Sequence, residues 1–91
     1  MLLVRWSATA FEDIDAMATF IARDNPVAAD RMTDLIFDAA DKLGGAPYLY
    51  RSGREPGTRE AVVHPNYILV YAVQTDAIRI LRLLHARQQY P

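Results

Sequence analysis

Apolar residues in the first quarter of the chain recur at spacings of three and four, which is the period of one face of an α-helix. Ser7 precedes this stretch, and a serine hydroxyl in that position accepts a hydrogen bond from a free backbone N–H of the first turn. The pattern therefore predicts a short apolar strand over 2–6 and then a helix from Ser7 to about Arg23. The residues predicted to face the core are Phe11, Ile14, Ala18 and Ile21.

A second and clearer helical pattern follows the sequence Asp24-Asn25-Pro26. A residue before proline is disfavoured in a helix, so the first helix ends here, and Asn25 can cap a new helix that starts at Pro26. Gly44 and Gly45 end this helix, and the short connection predicts an antiparallel helical hairpin. The predicted apolar stripe is Ala28, Met32, Leu35, Ile36, Ala39 and Leu43, and the opposite face carries Asp30, Arg31, Asp34, Asp38 and Asp41.

The second half of the chain favours β-strands over 59–64, 67–74 and 77–86. The tight turns between them predict an antiparallel meander. Period-two counting puts Ile78, Ile80 and Leu84 on the core face of the last strand and His85 on the other face. Residues 46–57 are predicted to be a loop without regular structure, and loops of this length are often functional. The order β-α-α-β-β-β predicts a single α+β domain over 1–91, with a helical hairpin packed on a small antiparallel sheet.

Charge is distributed unevenly along the 91 residues. Residues 1–41 contain three arginines and eight acidic residues, whereas residues 42–91 contain seven basic and three acidic residues. An anionic partner would therefore meet the second half, where every basic side chain except Lys42 is an arginine suited to phosphate or carboxylate. The net charge of −1 is nevertheless atypical of a free-standing nucleic-acid-binding protein. Direct sequence-specific binding of nucleic acid is not expected.

The residue types that are absent narrow the class of protein further. The chain has two histidines and no cysteine, so a closed zinc site is not expected. No apolar run approaches the roughly 20 residues that span a bilayer, and no signal-peptide pattern follows the apolar residues 1–4. We expect a cytoplasmic protein that makes no membrane contact and needs neither a metal nor a cofactor.

The closing segment, residues 83–91, ends in side chains that can carry chemistry. His85 can act as a general acid or base, Arg87 can hold a phosphate, and Tyr90 can stack on a base or donate a proton. With the strand arginines Arg59 and Arg79, these side chains would supply an acid–base group and cations for a phosphate. The alternative is that His85 is bonded to the backbone at a strand end and that Arg87 is a surface charge or a contact to a protein partner.

The loop over 46–57 contains a second group of candidate residues. Tyr48 and Tyr50 lie beside Arg51 and Arg54, and tyrosine and arginine are enriched at the centres of protein interfaces. These four residues could form a binding surface. The alternative is that the two tyrosines cover the edge of the core.

The order and spacing of several motifs along nearly the whole chain resemble the toxins of the RelE/ParE superfamily from bacterial type II toxin–antitoxin modules. The resemblance is greatest to the ParE branch, particularly to toxins that end in a His-Ala-Arg motif. The motifs are Trp6-Ser7, Asp24-Asn25-Pro26, Ala28-Ala29, Ala46-Pro47-Tyr48-Leu49-Tyr50, Pro56-Gly57-Thr58-Arg59-Glu60, His64-Pro65-Asn66-Tyr67-Ile68, Val70-Tyr71 and Leu84-His85-Ala86-Arg87-Gln88.

The resemblance implies a small toxin that a cognate antitoxin neutralises, in complexes that can be of higher order. ParE relatives are associated with poisoning DNA gyrase, and RelE relatives cut mRNA inside the ribosome. The only lysine, Lys42, lies outside the central strands, and the pI is about 6.0, whereas ribosome-directed relatives are typically basic. We therefore expect a non-enzymatic gyrase inhibitor, with a ribonuclease using His85, Arg87, Arg59 and Tyr90 or a non-toxic antitoxin-binding relative as the alternatives.

The antitoxin segment is expected to fold only when bound, along the helical hairpin or as a strand added to an exposed sheet edge. On the hairpin, basic antitoxin residues could meet the acidic outer face of the second helix. The site residues expected to contact the target or the antitoxin are Tyr48, Tyr50, Arg51, Arg54, Arg59, Arg79, His85, Arg87 and Tyr90.

Overall fold

A computed structural model describes residues 2–87 of the chain. Two helices pack against each other and against one sheet of five strands, so the predicted α+β fold is confirmed. The three predicted strands of the meander are present with bounds that differ by one residue at most. The elements are β1 (Leu3–Trp6), α1 (Ala8–Ala22), α2 (Pro26–Leu43), β2 (Arg51–Ser52), β3 (Thr58–His64), β4 (Tyr67–Val73) and β5 (Ala77–His85).

Both helices begin at the predicted capping residues. The Ser7 side chain accepts a hydrogen bond from the Ala10 N–H at 3.0 Å, and the Asn25 side chain accepts one from the Ala28 N–H at 3.0 Å. Each bond satisfies one of the N–H groups that a helix start leaves without a partner. Pro26 is the first residue of α2, where its missing N–H has no consequence.

The buried faces of the helices are rotated slightly from the predicted stripes. Phe11 is 48% exposed and Leu35 is 39% exposed, although both were predicted to face the core. Phe11 instead lies beside the core and stacks on Trp6, with 5.7 Å between the ring centroids. The fully buried helix residues are Ala10, Ile14 and Met17 on α1 and Ala29, Ile36, Ala40 and Leu43 on α2. Small alanines at these positions allow the helices to approach the sheet closely.

The sheet differs from the prediction at both edges. The strand order is β1-β5-β4-β3-β2, and β1 pairs with β5 in parallel, so the sheet is mixed. At the other edge, residues 51–52 of the predicted loop form a two-residue strand that pairs with Arg59 and Glu60 of β3. Period-two counting cannot reveal either feature, because both depend on pairing between distant segments.

The prediction of the two faces of β5 is wrong beyond Ile80. Ile80 lies opposite Tyr71 on β4, but the next pair is Arg82 opposite Val70, so Leu81 is an extra residue in a β-bulge. The bulge exchanges the faces of all later residues. Leu83 consequently joins the core between sheet and helices, whereas Leu84 is buried on the opposite face of the sheet.

The hydrophobic core lies between the two helices and the helix-facing side of the sheet. Its largest fully buried side chains are Ile36, Leu43, Leu69, Tyr71, Ile78 and Ile80. Neither helix in the described part of the chain is long and apolar enough to cross a membrane.

Candidate functional site

Arg59 organises the loop that follows α2. Its guanidinium donates hydrogen bonds from Nη1 to the carbonyl oxygen of Tyr50 at 2.7 Å and to that of Tyr48 at 3.4 Å. The same guanidinium lies over the Tyr48 ring, 4.9 Å from its centroid. Hydrogen bonds from a charged donor are shorter and stronger than those between neutral groups. One of the three arginines that the sequence offers for a phosphate is therefore bound to the protein's own loop.

Arg51 contacts a buried carboxylate. Its guanidinium lies 2.9 Å from Glu60 Oε1 through Nη2, and its Nε donates to the same oxygen at 3.1 Å. The Glu60 side chain is 8% exposed, and its second oxygen, Oε2, is buried without a hydrogen-bond partner among the residues that the structure describes. Because a buried carboxylate is costly without a counter-charge, Arg51 has a structural task in holding β2 on β3.

Tyr71 supports the loop from below, and the sequence analysis did not single it out for this role. Its hydroxyl donates a 2.7 Å hydrogen bond to the carbonyl oxygen of Pro47, and its ring meets that of Tyr50 edge-on at 6.5 Å. The side chain is fully buried, and this burial raises the pKa of the Tyr71 hydroxyl. A tyrosine at a core-facing position of β4 was a signal that its hydroxyl needs a buried acceptor.

A row of three rings crosses the other end of the sheet. The Tyr67 ring on β4 lies 5.8 Å from the His64 ring on β3 and 5.5 Å from the His85 ring on β5. In both histidines Nδ1 accepts a hydrogen bond from the backbone N–H two residues later, at 3.0 Å from Asn66 and 3.2 Å from Arg87. An accepting Nδ1 places the proton of the neutral ring on Nε2. Within residues 2–87 no three His, Asp or Glu side chains form a group that could hold a metal ion.

The residues predicted for a ribonuclease lie at two ends of the sheet. Arg59 is paired with Tyr71 on β4, whereas His85 is paired with Tyr67 on the same strand. Tyr67 and Tyr71 are four residues apart along β4. At a rise of about 3.3 Å per residue, the positions of Arg59 and His85 are about 13 Å apart along the strand direction, and they lie on different strands, β3 and β5. Arg87 is exposed close to His85 in sequence, and Tyr90 lies outside the described residues.

Arg79 occupies a third position, on the sheet face turned away from the helices. It pairs with Ala72 on β4 and, across the parallel edge, with Arg5 on β1. Both arginines are exposed. Like charges directly opposite each other destabilise a sheet, so this pair is a candidate contact for an anionic partner. The sequence analysis did not identify Arg5, because the partner of β1 cannot be read from a local pattern.

A groove of about 590 Å³ separates α2 from β3. Its apolar side chains include Leu35 and Val62, which are 39% and 54% exposed. The charged side chains are mixed in sign, since two aspartates of the predicted acidic face are joined by two cations. The lining residues are Arg31, Asp34, Leu35, Asp38, Ala39, Lys42, Tyr50, Val62 and Val63.

The groove ends at a stretch of sheet edge that no strand of the described chain covers. β2 pairs with β3 only at Arg59 and Glu60. The Gly53 N–H donates to the Thr58 carbonyl at 2.8 Å, which shows that Thr58 directs its carbonyl towards the β2 side. Because these directions alternate along an antiparallel strand, the N–H and C=O of Val62 also point to that side, into the groove.

Comparison with known proteins agrees with this architecture over almost the full length. Residues 4–90 match the family model described as the ParE toxin of the type II toxin–antitoxin system, parDE. The chain is 37% identical over 89 residues to the protein Y4kP of Sinorhizobium fredii, covering 97% of this chain and 92% of Y4kP. It is also 37% identical over 87 residues to Toxin RelE2 of Caulobacter vibrioides, covering 94% and 97% of the two chains.

Solved structures share the fold at lower sequence identity. A chain of the chromosomal ParDE TA system from P. aeruginosa superposes with a TM-score of 0.82 at 20% identity, covering 93% of this chain and 96% of that one. The YoeB dimer from Staphylococcus aureus gives a TM-score of 0.64 at 18% identity and covers 98% of each chain. With the family match and the two full-length relatives, these findings show that the chain belongs to the ParE toxin family, within the RelE/ParE superfamily of type II toxin–antitoxin toxins.

Proposed function

We propose that this toxin arrests growth by binding and inhibiting DNA gyrase. The observation that carries the proposal is the placement of Arg59, whose guanidinium is bound to loop carbonyls about 13 Å from the His85 position along β4. Cleavage of RNA needs an acid–base group and phosphate-binding cations at one point, and of the arginines named for that role only Arg87 lies near His85. A protein that stalls an enzyme already able to cut DNA needs only a binding surface.

A supercoiling assay with purified toxin and DNA gyrase tests this directly. We expect micromolar toxin to block supercoiling or to trap cleaved DNA, and to have no effect when a saturating amount of its antitoxin is added first. Full gyrase activity in the presence of a toxin preparation that arrests growth would overturn the gyrase assignment. The complex with antitoxin is the matched control, because it contains the same toxin with its surface covered.

The 37% identity with RelE2 gives reason to test a second activity, mRNA cleavage on translating ribosomes. This alternative would use the exposed His85 and Arg87 at the end of β5. Primer extension on cell-free translation reactions would show cuts that disappear in His85→Ala and Arg87→Ala. If the toxin inhibits gyrase and leaves transcripts uncut, the gyrase proposal is supported. If it leaves gyrase active and transcripts are cut, the ribonuclease alternative replaces the gyrase proposal.

The loop tyrosines and the outer arginines are the surfaces we propose for the target. Tyr48 is 66% exposed beside Arg59, and Leu49 is 74% exposed. Large exposed side chains on a loop that is anchored from below by Tyr71 are preorganised, so little conformational entropy is lost when they bind. Arg54 and Arg79 are exposed and add cationic groups for an acidic protein surface, whereas Arg51 is already paired with Glu60.

We propose that the antitoxin binds in the groove between α2 and β3. The ParDE structure is named as a TA system, which supports a partner of this kind. The sequence predicts two modes of antitoxin binding, along the helical hairpin or as a strand added to a sheet edge. The groove allows both, because it lies between α2 and the sheet edge at Val62. An extended antitoxin segment could bond to the Val62 backbone while placing an apolar side chain against Leu35.

A further inference from the structure

Helix α1 contacts the edge of β5 at the bulge. The Ser7 hydroxyl donates a hydrogen bond to the Leu81 carbonyl at 3.0 Å, and the Leu83 N–H donates to Asp13 Oδ2 at 2.9 Å. The last pair between β1 and β5 is Trp6 with Ile80, so β1 ends just before these two groups. Side chains of α1 thus replace β1 as the hydrogen-bonding partner of the β5 edge.

Arg82 fixes the Asp13 carboxylate in position for this contact. Its Nε donates to Oδ2 at 2.8 Å and its Nη2 donates to Oδ1 at 3.2 Å, so both carboxylate oxygens are engaged. The two side chains are only partly exposed, at 37% for Arg82 and 17% for Asp13. Hydrogen bonding to Asp13 also raises the pKa of Arg82. Three hydrogen bonds therefore converge on one carboxylate beside the bulge.

The bulge decides which face of the sheet carries His85. In the observed register Tyr67 lies opposite His85, and the His85 ring is on the helix-facing side, next to a recess that Met17 and Phe20 help to line. Without the extra residue Tyr67 would lie opposite Leu84, and His85 would turn to the other face. Since Leu83 and Leu84 are adjacent, a leucine is available for the helix-facing position in either register. The regular register would, however, turn Arg82 to the helix-facing position opposite the buried Leu69, so burial of Leu83 also favours the bulge.

We infer that Ser7 and Asp13 are positioning residues that stabilise the bulged register of β5 and thereby place His85 on the helix-facing side. Both residues bind backbone groups that the bulge leaves without a strand partner. These hydrogen bonds stabilise the bulged register and would be absent from the regular register. The inference about the register of β5 rests on these contacts and does not depend on the proposed function. The consequence for toxicity rests on the proposed function, in which the closing segment contacts the target.

Nuclear magnetic resonance of the full chain tests the register. In Asp13→Ala we expect loss of the cross-peaks between the Tyr67 and His85 rings, new contacts between Tyr67 and Leu84, and rapid exchange of the Leu83 amide. Asp13→Asn keeps an acceptor for the Leu83 N–H and should retain the Tyr67–His85 cross-peaks. Asp15→Ala, on an exposed position of the same helix, is the matched control and should leave the spectrum of β5 unchanged.

Retention of the Tyr67–His85 cross-peaks in folded Asp13→Ala would overturn the inference. If that variant does not fold, Ser7→Gly provides the test, because glycine is nearly as good a helix cap but cannot hold the Leu81 carbonyl. Cross-peaks that stay at full intensity in Ser7→Gly would then overturn it. Induction of each variant without antitoxin separates the two proposals: a shifted register with growth arrest unchanged removes the closing segment from the toxic surface and leaves the register inference standing.

Discussion

Replacing Arg59 by methionine tests whether this residue serves the fold or the target. The change removes the 2.7 Å hydrogen bond to the Tyr50 carbonyl and the contact with the Tyr48 ring, while it keeps a stem of similar length. A hydrogen bond from a charged donor contributes about 1.5–3 kcal/mol, and an exposed cation–π contact about 0.5–1 kcal/mol. Because Arg59 is only half-buried, we expect a net loss of about 2 kcal/mol in the free energy of unfolding, below the sum of the two contributions.

Urea denaturation followed by circular dichroism measures this loss. With a slope of about 1–3 kcal/mol per molar urea for small proteins, the midpoint should fall by roughly 1 M, and Tm should fall by about 10 °C for a domain of this size. Arg79→Met is the control, since this exposed arginine should be neutral within about 0.5 kcal/mol. An unchanged midpoint in Arg59→Met together with lost toxicity would refute the structural role and make Arg59 a target contact.

Two further variants test the loop support and the groove. Tyr71→Phe removes the hydroxyl from the buried Pro47 carbonyl and should cost about 1 kcal/mol. Burial raises the pKa of Tyr71 above 10.0, so the folded protein keeps a proton that the unfolded chain loses. The free energy of unfolding of the wild type should therefore fall as the pH rises above about 10, and that of Tyr71→Phe should fall less steeply. Urea titrations at several pH values measure this difference. Leu35→Asp puts a third carboxylate beside Asp34 and Asp38 in the groove and should weaken antitoxin binding at least about tenfold in calorimetry. Phe20→Asp is the control, because Phe20 is an exposed residue of α1 outside the groove, and it should leave the affinity unchanged. Equal affinities for wild type and Leu35→Asp would rule out the groove as the antitoxin site.

Local signals in the sequence predicted the parts of the fold that depend on neighbouring residues. Ser7, Asn25 and Pro26 mark helix starts because capping is a property of a few consecutive residues. The tight turns after His64 and Val73 likewise defined the meander of β3, β4 and β5. The family resemblance carried by these motifs agrees with the match over residues 4–90.

Features that depend on contacts between distant segments were not predictable in this way. The faces of β5 were wrong beyond Ile80 because α1 binds two backbone groups of the strand at the bulge, and nothing within residues 77–85 encodes that contact. Similarly, the sequence offers Arg59 as a phosphate ligand, because nothing near residue 59 indicates that its guanidinium will bond to the carbonyl groups of the loop. The candidate residues could be named from the sequence, but their grouping at two ends of the sheet required the structure.

The same internal contacts change what the arginine-rich half of the chain implies about the target. The second half was expected to meet an anionic partner because it contains six arginines. At least three of them bind groups of the chain itself: Arg51 pairs with Glu60, Arg59 with the loop carbonyls and Arg82 with Asp13. A polyanion such as ribosomal RNA is bound mainly through the number of phosphates that free cations neutralise. Committing these arginines to the fold weakens that mode of binding and favours a protein target, which is recognised through a few anchored side chains such as Tyr48 and its neighbours.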